Sequence, residues 1–527
     1  MKKVFKKAVT LLLALGVILA MGVTSFAETR TAETTITVKN VEAGATVTAY
    51  QVVQEENGHW VAIANQSGKK ITVKADGSVD LKASDVTALA NDTSGLTGKT
   101  MISSGSDYTL SDVKPGMYLV LVTKTDSAKI YNPMIVSADY TAGENEKPEV
   151  DASSDFTASD GSVAYAKSSE PTIDKSVTTG KGKTNDGETD KGYSVAVGDD
   201  VGFQIEGKIP SYSDDYDNNT LTYKIEDTLS KGFDDPKDFA VTVNGTPVKE
   251  GDVTYSKTGT NPFTISFKAP FIKEHGNENV VVTYSAKVNS EAAVNFDPNT
   301  NTAKLTYSNN PSTDGTAKPK ESKTYNYTFG IDANLNGESG IDTKRTSEII
   351  KIDENGKVEK IDSTETTQES TKVTEPLKDA EFTLYTSDGK TAVKTAMTGS
   401  DGYLSITGLN EGEYVLKETK APTGYALDDK THSVKISAKY NEDGTLASYT
   451  VTIDGNATST YTATYDKGTI TKISGDSSTV TIKNSKTKGL PSTGGMGTYL
   501  FIVLGITIIA IAGGMLIRRH RNENRSE

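Results

Sequence analysis

Three polar residues stand where strand alternation places a core. In the segments PTIDKSV, IEDTLSKGF and NTAKLTYS, alternate side chains share a face. Lys175 then lines up with Ile173 and Val177, Asp227 with Ile225 and Leu229, and Asn301 with Ala303, Leu305 and Tyr307. An isolated buried charge is expensive and is relieved by a pKa shift toward the neutral form. A neutral buried lysine is a nucleophile. A carboxyl raised by burial supplies a proton and a hydrogen bond to an amide carbonyl, and packing supplies proximity. The product of Lys175 and Asn301 would be a new amide, formed with loss of ammonia. A face assigned off by one residue would instead leave all three groups in solvent. Further along, Glu418 falls in line with Tyr414 and Leu416, and Asn484 with Val480 and Ile482, which repeats the pattern of a carboxyl and an amide among apolar neighbours.

Such groups need rigid strands to hold them, and the chain between its ends reads as strands. Thr, Val, Tyr and Ser recur with period two in TTITVKNV, SVAVGDDVGFQI, VVVTYSAKV, EFTLYTSDG and SVKISAKY, broken by Gly, Asn, Asp and Pro. No long stretch there keeps a helical period. The fold class expected is all-β, a string of Ig-like β-sandwiches. Loop-like composition around residues 151 to 162 and 309 to 322 divides the chain, and a Glu-, Thr- and Lys-rich insertion is expected near 341 to 376.

The ends carry addresses. MKKVFKKAVTLLLALGVILAMGVTSFA has four lysines, an apolar run, and Ser25 and Ala27 spaced for signal peptidase, so cleavage is expected after Ala27 and the protein is expected to be secreted. It has no cysteine, so disulfides cannot stabilise it outside the cell. At the other end LPSTGG precedes an apolar stretch from Tyr499 to Ile517 and the basic residues Arg518, Arg519, His520 and Arg521. By length and flanking charge alone this is a single membrane span with a positive-inside stop. Removing the four signal lysines, and the four arginines and two glutamates after Thr493, takes the net charge from −14 to −20. So acidic a chain is a poor ligand for nucleic acid or anionic lipid. Four histidines, no cysteine and no elbow-type serine motif argue against a hydrolase or zinc enzyme, and no cofactor is expected. The acidic run Asp214 to Asn219 lacks the glycine and distal glutamate of an EF-hand loop and is expected to be a solvated turn, with no metal site.

The pentapeptide Leu490, Pro491, Ser492, Thr493 and Gly494, followed by the span and the basic tail, resembles the cell-wall sorting signal of Gram-positive surface proteins. In that family a membrane sortase cuts between the residues matching Thr493 and Gly494, holds the threonine as a thioester and passes it to an amine. PTIDK, IEDTLSKGF and NTAKLTYSNNP resemble the middle domain of shaft pilins of sortase-built pili, a collagen-adhesin A-like sandwich. PLKDAEFTLYTSDGK, SDGYLSITGL and EGEYVLKETKAPTGYAL resemble a collagen-adhesin B-type domain.

The resemblance implies a signal peptide over 1–27, an N-terminal pilin domain over 28–160, a middle isopeptide-forming domain over 161–318, a B-type domain over 319–488 and a sorting signal over 489–527. It implies a self-formed Lys175–Asn301 isopeptide with Asp227 as catalyst, and a second bond to Asn484 with Glu418 as catalyst. The B-type family carries its lysine on the first strand, but YTFGIDANL has none, so Lys351 in SEIIKIDENGK is the expected substitute. Lys167, in VAYAK, takes the place of the lysine in the Tyr-Pro-Lys motif that accepts the next subunit's threonine; Ala166 stands where that motif has proline. The partners implied are a class C-type pilin sortase, a housekeeping sortase, identical subunits, ancillary pilins and peptidoglycan. The expected function is the major subunit of a covalent surface pilus supporting adhesion, a structural protein rather than an enzyme. A monomeric wall-anchored adhesin, or a tip or basal pilin, is the alternative.

Overall fold

The computed structural model describes residues 34–56, 59–63, 71–73, 79–80, 83–124, 127–138, 162–212, 218–254, 261–309, 317–335, 345–360, 371–487 and 496–523. Ala27 and Leu490 to Gly494 lie outside the described residues, as does most of the acidic run from Asp214. What is described is overwhelmingly β-structure, as the period-two runs predict.

The first body holds a four-stranded sheet in the order Ser162–Tyr165, Thr34–Lys39, Asp107–Val113, Ile102–Ser104. A second sheet is built on Met134–Ala138, Gly116–Thr123, Thr46–Glu56 and His59–Ala62. In TTITVK the alternation turns Ile36 and Val38 inward, where they meet Tyr108, Tyr118 and Val120. The helix Ala83–Asn91 was not legible from periodicity; Val86, Leu89 and Ala90 anchor it on a separate apolar cluster. Ser162–Tyr165 runs parallel to Thr34–Lys39, so the loop-like composition around 151 to 162 ends before this body does.

The middle body is a sandwich. One sheet runs Ile173–Val177, Asp200–Lys208, Asn279–Lys287, Lys237–Val243, Thr246–Pro247. Facing it is a six-stranded sheet in the order Gly192–Ser194, Lys320–Tyr327, Asn299–Tyr307, Tyr223–Leu229, Phe263–Phe267, Val253–Thr254. Asn299–Tyr307 alternates buried and half-buried over its whole length, the mark of a strand with one face on the core. SVAVGDDVGFQI is two strands rather than one. A turn closed by the Asp199 amide on the Ala196 carbonyl, with Gly198 at φ +99°, moves the chain from one sheet to the other.

The C-terminal body carries a seven-stranded sheet in the order Ala392–Met397, Glu381–Thr386, Gly412–Lys420, Thr431–Tyr440, Leu446–Ile453, Ala457–Asp466, Thr469–Asp476. Short ladders complete it: Phe329–Ile331 with Ile406–Leu409, and Ile349–Asp353 parallel to Val480–Asn484. The final helix, Met496–Glu523, contains a stretch, Tyr499–Asn522, long and apolar enough to cross a membrane, and none of it is buried against the rest of the chain.

The middle and C-terminal bodies meet backbone to backbone. A Cβ on Gly192 would lie 2.1 Å from the Gly444 carbonyl oxygen, and Gly444 itself has φ +88°. Around this contact Thr189 Oγ1 donates to the Glu442 carbonyl at 2.9 Å, and the Val197 amide donates to the Gly408 carbonyl at 3.0 Å. Gly192→Ala forces the two backbones apart and should cost about 1–3 kcal/mol, the usual range for overpacking. Calorimetry of the full chain should show a lower or split transition; an unchanged thermogram would refute the close-contact role.

Candidate crosslinking sites

The middle body assembles Lys175, Asp227 and Asn301 across its two sheets. Lys175 sits on the edge strand Ile173–Val177 of one sheet; Asp227 and Asn301 sit on adjacent strands of the other, where Leu229 pairs with Asn301 and Asp227 with Ala303. All three are 0% exposed. The Lys175 amide donates to Ser322 Oγ at 2.9 Å, fixing the edge strand against the opposite sheet. Lys175 Nζ lies 2.5 Å from Asp227 Oδ2 and 2.5 Å from the Tyr284 hydroxyl. That hydroxyl donates to Asp227 Oδ1 at 2.7 Å and accepts from Asn301 Nδ2 at 2.7 Å.

Aromatic rings close the site. Lys175 Nζ is 5.2 Å from the Phe203 ring centre and 4.9 Å from that of Tyr284. The Tyr284 ring stacks on Phe203 and Phe239 and takes Phe263 edge-on. Burial pushes the lysine pKa down against the pull of Asp227, and pushes the Asp227 carboxyl up against the pull of Lys175. Both shifts favour an uncharged amine beside an uncharged acid, the protonation states that attack on an amide requires.

The C-terminal body contains a second set. Lys351 lies on Ile349–Asp353 and Asn484 on Val480–Asn484, strands that run parallel with Lys351 opposite Ile482. Lys351 Nζ donates to Asn484 Oδ1 and is 3.2 Å from Glu418 Oε1. The same Glu418 oxygen accepts from Asn484 Nδ2 at 2.9 Å, and its other oxygen accepts the Asp428 amide at 2.7 Å. The Lys351 pKa is lowered, chiefly by burial, with Glu418 opposing.

Lys351 was expected within an insertion, and this needs correction. All five residues of Ile349–Asp353 are buried, wedged between the Val480–Asn484 strand and the Gly402–Tyr403 turn, whose Gly402 carbonyl accepts the Lys351 amide. A strand covered on both faces shows no polar alternation, which is why its sequence did not announce it.

Lys167 is exposed, two residues beyond Ser162–Tyr165. Its main chain is held on both sides: the Asn132 amide donates to the Lys167 carbonyl at 3.0 Å, and the Ala166 amide to the Lys39 carbonyl at 2.9 Å. The second bond gives a physical reason for alanine here, since proline has no N–H to donate. Among the described residues no ion pair engages the Lys167 ammonium.

Two features escaped the sequence. Tyr284, inward in the alternation of VVVTYSAKV, is the hydroxyl on which the middle site converges; its only sequence signal was a phenol on an otherwise apolar face. The other is a pair of fully buried carboxylates in the C-terminal body. Asp332 accepts the Ile349 and Leu404 amides, while Glu348 accepts the Asp332 amide and the Thr346 and Tyr461 hydroxyls.

Residues 357–452 match the SpaA prealbumin-like fold domain, and residues 482–524 match the LPXTG cell wall anchor motif. The chain is a wall-anchored surface protein. Over its whole length it is similar to the trypsin-resistant surface T6 protein of Streptococcus pyogenes serotype M6, with 26% identity covering 97% of this chain and 99% of that one. The solved structure of the T6 backbone pilin of the same serotype matches 86% of this chain and 99% of its own, at 22% identity and a TM-score of 0.54, so the two share a fold.

Burial first, and the charge of Glu348 second, raise the Asp332 carboxyl well above its usual range. A group with a raised folded pKa contributes stability that is complete below its unfolded value and is lost as pH rises through the folded one. Relative to Asp332→Asn, the wild-type chain should therefore lose thermal stability as pH is raised above the ordinary carboxylate range. A difference in Tm that stays constant with pH would overturn the assignment.

Proposed function

We propose that this protein is the shaft subunit of a covalently polymerised, wall-anchored pilus. The observation that carries the proposal is the coexistence in one chain of an LPXTG acyl donor and a lysine, Lys167, whose backbone is fixed while its amine stands in solvent. A pilin sortase cleaves between Thr493 and Gly494 and holds the threonine carbonyl as a thioester. The Lys167 amine of a neighbouring subunit attacks it, and the enzyme thiol leaves. A housekeeping sortase transfers the last subunit to peptidoglycan. The similarity to a backbone pilin supports the same reading.

Within each subunit the buried sets form amides. Lys175 joins Asn301 with Asp227 as acid and base, and Lys351 joins Asn484 with Glu418 in that role, each releasing ammonia. The second bond spans 133 positions of sequence. By analogy with a disulfide closing a loop of that size, each bond contributes about 2–5 kcal/mol, which answers the absence of cysteine.

An SDS gel of cell-wall extract should show a ladder that collapses to monomer in Lys167→Arg, because arginine keeps the charge but offers no competent amine. A single band in the wild type would indicate a monomeric adhesin or an ancillary pilin; a ladder surviving in Lys167→Arg would move the acceptor to another lysine. For the internal bonds, the wild-type chain should weigh two ammonia less than its processed sequence. Asp227→Ala should restore one ammonia and Glu418→Ala the other, and a full-mass wild type would refute both bonds.

A further inference from the structure

We infer that Tyr284 is a catalytic residue of the Lys175–Asn301 condensation, relaying a proton from Asp227 to the departing amide nitrogen of Asn301. The inference rests on the proposal that this bond forms. Its basis is a difference between the two sites. In the C-terminal body one oxygen of Glu418 reaches both reacting groups, at 3.2 Å from Lys351 Nζ and 2.9 Å from Asn484 Nδ2. In the middle body the acid is aspartate, one methylene shorter. Asp227 contacts Lys175, but among the described residues no hydrogen bond joins it to Asn301. The gap is spanned by the Tyr284 hydroxyl, 2.7 Å from Asp227 Oδ1 and 2.7 Å from Asn301 Nδ2. At the C-terminal site the ring lying 5.4 Å from the lysine nitrogen is Phe382, which has no hydroxyl to offer.

The neutral Lys175 amine attacks Asn301 Cγ, the Nζ–Cγ bond forms, and the carbonyl π pair moves to Oδ1. The amide nitrogen, a donor with its lone pair delocalised in the ground state, becomes a basic amine once Cγ is tetrahedral. Its hydrogen bond to Tyr284 then reverses. Tyr284 gives its hydroxyl proton to that nitrogen and takes the carboxyl proton of Asp227; ammonia leaves as the Oδ1 pair re-forms the carbonyl. The Asp227 carboxylate removes the extra proton from Nζ, restoring acid and phenol. Burial holds the Tyr284 hydroxyl well above its usual pKa, so it remains a phenol with a proton to pass.

The test follows bond formation in the full-length chain after cell-free synthesis. Samples taken over time are digested with trypsin, and the joined Lys175–Asn301 and Lys351–Asn484 peptides are quantified by mass spectrometry. Tyr284→Phe keeps the ring stacked on Phe203 and Phe239 and removes only the hydroxyl. It should slow the first bond about 100-fold, the scale of a lost general acid, and leave the second bond at the wild-type rate, an internal control for folding. Tyr284→3-fluorotyrosine preserves shape while acidifying the hydroxyl, and should change the first rate without changing the second. Wild-type rates in both variants would overturn the relay while leaving the bond intact. A wild-type chain lacking the Lys175–Asn301 peptide would overturn the bond itself, and the relay with it.

Discussion

Moving a carboxylate or an ammonium from water into a protein interior costs several kcal/mol per ion, and the middle body, which leaves neither Lys175 nor Asp227 any solvent contact, relieves that cost by shifting both toward their uncharged forms. Most of what surrounds them follows from that cost. The two groups come from opposite sheets, so their meeting requires the sandwich to be closed. Four aromatic rings enclose the pair, and the Tyr284 hydroxyl satisfies the carboxyl oxygen that the lysine does not reach. A non-covalent pair of this kind is a weak stabiliser, because well-packed apolar residues do as well. The proposed conversion to an amide would replace this costly buried contact with a bond. In a chain without cysteine, the proposed crosslinks give these polar core residues a stabilising role that their packing alone does not.

The two bodies solve the same problem with different acids. Glutamate on Gly412–Lys420 is long enough to contact lysine and asparagine at once. Aspartate on Tyr223–Leu229 is not, and the Tyr284 hydroxyl, from a third strand, lies hydrogen-bonded between it and Asn301. The strand geometries differ too. Lys351 and Asn484 lie on directly paired parallel strands, whereas Lys175 and Asn301 belong to facing sheets. In the first arrangement the two groups lie on an inner strand of the body and on its last strand; in the second they lie on opposite layers of the sandwich.

In the proposed pilus, load along the fibre must also pass between bodies. At the first junction the Tyr307 hydroxyl donates to the Ala128 carbonyl, and Asn309 Nδ2 donates to the Ser127 carbonyl at 3.2 Å, so the segment before Ile130 rests on the middle sandwich. The same segment continues into Ile130–Tyr131, which pairs with Ser168–Ser169 directly after Lys167. Lys167 is thus held by the backbone that joins the first two bodies. At the second junction the Gly192–Gly444 approach leaves no room for a side chain, making that contact rigid by exclusion.

Period-two alternation in amphipathic strands lined Lys175, Asp227 and Asn301 up with apolar neighbours, because a strand with one buried face writes its orientation into every second residue; the family resemblance chose between that face and one shifted by a residue, and all three are buried. The sorting motif, the apolar span and the absence of cysteine were equally plain, being properties of short contiguous segments. What the sequence could not supply was anything that depends on two segments meeting. Ile349–Asp353 is buried on both faces and has no alternation to read, so Lys351 could be named as a substitute partner for Asn484 only through the family resemblance, while its strand was read as part of an insertion. Tyr284 looked like a core aromatic, since a phenol acquires a role only from the groups that converge on its hydroxyl. Ala166 looked like a departure from a motif, and the Lys39 carbonyl that needs its N–H lies more than a hundred residues away. Local pattern determined which faces are buried; only the tertiary structure decided which buried groups touch, because contact distance is set by how sheets pack and not by how any one strand alternates.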